Sequence, residues 1–60
     1  SDQQQEQMAF DVAEKKVRQL SRYSPEVIER RTYQLLLRKG YSFGLATKVV
    51  RHVMQEVQQS

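Results

Sequence analysis

One histidine, seven carboxylates, ten basic side chains and no cysteine are what this sequence offers to chemistry. His52 has no second histidine and no nearby Asp with which to share a metal, and the lack of cysteine excludes thiolate zinc sites and disulfides alike. Glu26 and Glu29 stand three apart, but arginines follow them and both acids are expected to face solvent, which argues against acid–base work by a carboxylate pair. Gly40 and Gly44 are too few and badly spaced for a phosphate-cradling loop. No serine stands in a recognisable nucleophile context. The expectation is a non-enzymatic protein with no catalytic residue, no metal and no cofactor.

The basic residues carry what remains. Arg31 and Arg38 fall two turns apart on one side of a helix with Gln34 between them, and Arg30 and Lys39 adjoin them. Lys15, Arg18 and Arg22 form a second row, partly neutralised by Asp11 and Glu14. Lys48 and Arg51 form a third cluster, with Gln55 a turn further on. Guanidinium groups bind phosphate or carboxylate bidentately. If DNA is the ligand, contact with its backbone is expected rather than reading of base edges. Charge is unevenly spread. Residues 1–14 hold four acids and no base, whereas residues 15–51 hold all ten bases against Glu26 and Glu29 alone. That local excess of eight positive charges suggests an anionic partner, nucleic acid or an acidic protein surface. The plainer reading is that Lys and Arg merely solvate helix faces.

Three helices must position these groups. Ser24-Pro25-Glu26 reads as a helix start, with a capping hydroxyl, a proline at the first position and an acid at the positive pole. Tyr23 and Ile28 have the spacing of a hydrophobic staple. Gly40 supplies the left-handed residue after Arg38-Lys39, and Ser42 caps the next helix, with Gly44 a weak point in its first turn. Helices are expected over about residues 5–22, 25–39 and 43–57, preceded by a polar, frayed lead at 1–7, so that 8–58 form one domain. The pairs Asp11–Lys15 and Glu14–Arg18 have the i,i+4 spacing that supports the first helix.

Phe10, Ala13, Val17 and Leu20 make one apolar face, and Ile28, Thr32, Leu35 and Leu36 another. Phe43, Ala46, Val49, Val50, Val53, Met54 and Val57 gather on one side of the third helix, with Lys48, Arg51 and Gln55 opposite. The expected fold is an all-α three-helix bundle. Two pairs, Tyr33/Leu37 and Met8/Val12, stand off the inward stripes. They are expected either to broaden the core at its edge or to pack against a neighbouring module. Sixty residues allow a single small domain. Its longest strongly apolar run, Leu35-Leu36-Leu37, is far short of the roughly 20 residues of a membrane span. Ser1 to Gln7 carries no secretory signal. A soluble intracellular module, whole or cut from a longer chain, is expected.

The stretch from Leu35 through Arg38-Lys39-Gly40-Tyr41-Ser42-Phe43, followed by Ala46, Lys48, Val49 and Val50, resembles the RecX family's signature of a leucine-rich helix, Arg-x-Gly-aromatic-Ser and a further helix. Upstream, Ala13-Glu14-Lys15-Lys16, the Ser-Pro turn and Glu29-Arg30-Arg31 agree with it. The resemblance covers about residues 9–55 and is to the last of that family's tandem three-helix repeats. It implies one repeat of a bacterial cytoplasmic regulator that associates with the RecA–DNA filament and suppresses recombinase and ATPase activity. Single- or double-stranded DNA is a further partner it allows, and Tyr33, Leu37, Met8 and Val12 would pack towards preceding repeats of the same chain. The family has no strict catalytic residues to carry over. The alternative is an independent small basic helical domain that holds the DNA phosphate backbone.

Overall fold

The computed structural model describes residues 2–59, with side chains described as far as Val57. Three helices follow one another: α1 (Asp2–Gln19), α2 (Pro25–Arg38) and α3 (Phe43–Gln59). Among the described residues there is no strand. The three pack pairwise into an all-α bundle.

Both connections are set by local chemistry. Ser24 holds an extended backbone (φ −67°, ψ 156°), as a residue before proline must. Its Oγ accepts from the Val27 N–H at 3.4 Å, and Pro25 opens α2. At the other end Gly40 adopts φ +100°, the region that only glycine enters cheaply. Gly40 N–H donates to Leu37 O at 3.0 Å and Tyr41 N–H to Leu36 O at 3.1 Å. This is the paired hydrogen bonding of a Schellman ending, which satisfies carbonyls that the helix itself leaves free. Two residues later Ser42 Oγ accepts from Leu45 N–H at 3.2 Å and starts α3.

The first helix lies three residues earlier than its apolar pattern indicated. It starts at Asp2 rather than about residue 5, so the polar lead is helical from Asp2 onward, with Ser1 outside the described residues. Asp2 suits the positive pole, Gln7 Nε2 donates to Asp11 Oδ1 at 3.1 Å, and Glu6 is tied to α3 by Lys48. α1 ends at Gln19 instead of residue 22. There Leu20 N–H is shared between Lys16 O and Val17 O, and Ser21 and Tyr23 donate three residues back to Arg18 and Leu20. These tight turns bring Leu20 into the core and lead the chain to Ser24. The expected pairs Asp11–Lys15 and Glu14–Arg18 are not closed among the described residues.

The core comprises Ala9, Ala13, Val17 and Leu20 from the α1 region, Ile28 and Leu36 from α2, and Ala46, Val49, Val50, Val53 and Met54 from α3. Ala9, Ala13 and Ala46 are fully buried, and side chains that end at Cβ let helix axes come close. Phe10, Val12, Tyr33, Leu37, Leu45 and Val57 are half-buried around this centre. Phe43 departs from its expected place on the inward face and is 69% exposed. Long helical side chains lean over the turn preceding their own Cα. At the first position of α3 there is no such turn, so Phe43 overhangs the helix end and meets Tyr33 instead of the core.

Candidate functional site

The bundle sorts the ten cations onto different faces. On α2, Arg31 and Arg38 are exposed on the same side, and Lys39 ends the helix with its backbone N–H on Leu35 O. Arg31 is held in place: its guanidinium carbon lies 5.2 Å from the centre of the Tyr23 ring, a cation–π contact across the α2 start. Tyr23 is correspondingly an exposed platform rather than a buried staple, while Ile28 is in the core.

Arg30 turns the other way. It lines an open groove of about 610 Å³ between α2 and α3, as does Arg51 of α3. Tyr33, Val50 and Met54 give the groove apolar walls, and Glu26 and Glu29 share it. No carboxylate lies within 4 Å of either arginine among the described residues. Thr47, one turn beyond Phe43, continues the α3 wall.

Lys48 and Arg51, expected as one cluster, are separated. Positions three apart differ by about 60° around a helix axis. Here that angle sends Arg51 to the α2 flank and Lys48 to the α1 flank, where its Nζ meets Glu6 Oε1 at 2.9 Å. His52, one turn on, sits edge-on to Phe10 with ring centres 5.7 Å apart and planes at 65°. Both contacts bind α3 to α1. The expected row Lys15–Arg18–Arg22 is also divided, because α1 stops before Arg22, which lies in the turn. Lys15 is exposed, whereas Arg18 borders a shallow groove against α3 with Glu14 and Glu56.

Of the four residues expected at a module boundary, Tyr33, Leu37 and Val12 pack against this domain's own core, and Met8 is 59% exposed. Sequence reasoning missed two features: the exposed ring of Phe43, and the groove that Arg30 and Arg51 both line. The first had a signal, since Ser42 as the cap makes Phe43 the first helical residue. The second depends on how α2 and α3 cross, which no local pattern carries.

Among the described residues no group of three histidines or carboxylates is placed to hold a metal ion, and no helix is long and apolar enough to cross a membrane. No curated protein matches this chain, and no solved structure does. Residues 2–50 match the family described as RecX, third three-helix domain. The match takes in Asp2 to Met8, ahead of the segment whose motifs suggested the resemblance. Three helices in the expected order, joined at Ser24-Pro25 and Gly40-Tyr41-Ser42, are the architecture that this description names. The chain belongs to the RecX family, as its third three-helix domain.

Proposed function

We propose that this domain is part of a RecX-like regulator of the bacterial cytoplasm that binds the RecA–DNA filament and restrains RecA recombinase and ATPase activity. The family match over residues 2–50 carries this reading. The surface is compatible with it: a filament on DNA is strongly anionic, and Arg30, Arg31, Arg38, Lys39, Arg51, Lys15, Arg18 and Arg22 present cations on the outside of the bundle. Lys48 contributes less, because Glu6 already compensates its charge. Met8, exposed and apolar, is the residue assigned to contact with a neighbouring three-helix domain.

The test is co-sedimentation of a protein carrying this domain with RecA filaments formed on single-stranded DNA, at rising salt. Binding is expected to weaken steeply as salt rises, because counterions compete for the same sites. Failure to sediment with filaments at low salt contradicts the reading. Sedimentation that is indifferent to salt and lost in Tyr33→Ala or Leu37→Ala would favour an adaptor whose charge is incidental. Tight binding to naked DNA with no preference for the filament would favour the independent DNA-binding domain.

A further inference from the structure

The basic segment of residues 15–51 has only two acids, Glu26 and Glu29, and both line the α2/α3 groove with Arg30 and Arg51. The groove is therefore a charge-balanced face on a chain whose net charge is +3. None of these four charges closes an ion pair among the described residues, although Glu26 and Arg30 have the i,i+4 spacing that favours one. Tyr33, Val50 and Met54 supply apolar surface beside them, and Phe43 lies against Tyr33 with ring centres 6.5 Å apart.

The order of these residues indicates what the groove fits. Its α2 wall is a single stripe, Glu26, Glu29, Arg30 and Tyr33, at i, i+3, i+4 and i+7. Laid antiparallel on a copy of itself, about a two-fold axis between residues 29 and 30, the stripe sets Glu29 against the partner's Arg30 and Arg30 against the partner's Glu29. Glu26 then faces the partner's Tyr33, whose hydroxyl can donate to it. The α3 wall has the same layout at Thr47, Val50, Arg51 and Met54, so one axis across the groove serves both helices. There Arg51 falls opposite the partner's Val50 and not opposite the partner's Arg51. With two charges of each sign from either copy, the interface has no charge left over. The smaller α1/α3 groove lacks this property. Glu14 and Glu56 outnumber Arg18 there, and two copies would repel.

We propose that the α2/α3 groove is a self-association face, on which two copies of this chain pair antiparallel about a two-fold axis. The groove is open, so its ion pairs keep some water and fix orientation more than they add affinity. The face is small, and the dimer is accordingly weak, with a Kd on the order of 100 μM. Pairing does not depend on the function proposed above. It bears on that function in one respect: the dimer covers Arg30 and Arg51, so these two cations reach a filament only from the monomer.

The experiment is sedimentation equilibrium of the 60-residue chain from about 10 μM to about 1 mM, in about 0.15 M salt to screen the net +3 of each copy. The average mass is expected to rise from monomer towards dimer across that range. Glu29→Arg alone and Arg30→Glu alone each set like charges face to face, and each is expected to weaken pairing at least about tenfold. Mixed one to one, these two variants are expected to form a heterodimer at least as tight as the parent dimer, because every facing pair at positions 29 and 30 is then opposite in sign. Both positions are exposed, so circular dichroism should show each variant folded. A parent chain that stays monomeric at the highest concentration would overturn the proposal. So would single variants that pair as well as the parent, or a mixture of the two that stays monomeric. Those results leave co-sedimentation with RecA filaments unaffected, so the two readings fail separately.

Discussion

Thr32 is fully buried in the middle of α2, and its Oγ1 has no hydrogen-bond partner among the described residues. A hydroxyl in that position loses its water and gains nothing in return, at a cost of about 1–3 kcal/mol. Valine has the same branched shape without the polar atom. Thr32→Val is therefore expected to raise stability by about 1 kcal/mol, read as a higher urea midpoint with an unchanged slope. A lower midpoint would mean that the hydroxyl has a role in the folded state. The sequence places Thr32 on the core stripe by period alone, but that the hydroxyl would lack a partner is a fact of the packed bundle. Phe43 teaches the converse. Its period assigns it to the core, yet its position as the first residue after the cap sends it outward. Lys48 and Arg51 were separable only once α1 and α2 stood on either side of α3, because the flank that each cation reaches is defined by its neighbours.

The helices owe their boundaries to chemistry within a few residues, and there the sequence is most legible. Ser24-Pro25, the Gly40 turn and the Ser42 cap all occur where their residue types place them. α1 lacks any such stop signal of its own. Near its start Glu6 is held by Lys48 of α3, and after its end at Gln19 Leu20 enters the core. Two substitutions at the α3 start should act in opposite directions. Ser42→Ala removes the acceptor for Leu45 N–H and is expected to cost about 0.5–2 kcal/mol. Gly44 is helical, and a Cβ there would meet nothing within 4 Å. Gly44→Ala is accordingly expected to gain roughly 0.4–1 kcal/mol by restricting the unfolded chain. Thermal melts of the two variants should bracket that of the parent. A Gly44→Ala variant that melts lower would show that the first turn of α3 must stay open.

At the scale of the molecule, a 60-residue bundle with a small core has little stability to spare. Cores of this size rarely supply more than about 3–5 kcal/mol. Leu36 is the largest fully buried side chain, so Leu36→Ala, at about 2–5 kcal/mol, should leave a large fraction of molecules unfolded at room temperature. A cooperative melt close to that of the parent would place the main support elsewhere. Charge also acts at this scale. The Lys48–Glu6 pair is exposed and contributes at most about 1 kcal/mol, but it leaves Arg51 as the α3 cation without a carboxylate partner among the described residues. In co-sedimentation with RecA filaments, Arg51→Ala is expected to weaken binding more than Lys48→Ala does, and equal losses would count against the separation of the two.

ATP hydrolysis by RecA on single-stranded DNA tests the regulatory role most directly. Added in amounts stoichiometric with RecA, a protein carrying this domain is expected to slow hydrolysis, and less so when Arg30 and Arg51 are both replaced by Gln. An undiminished rate at that ratio, from a protein shown to be folded, would contradict it.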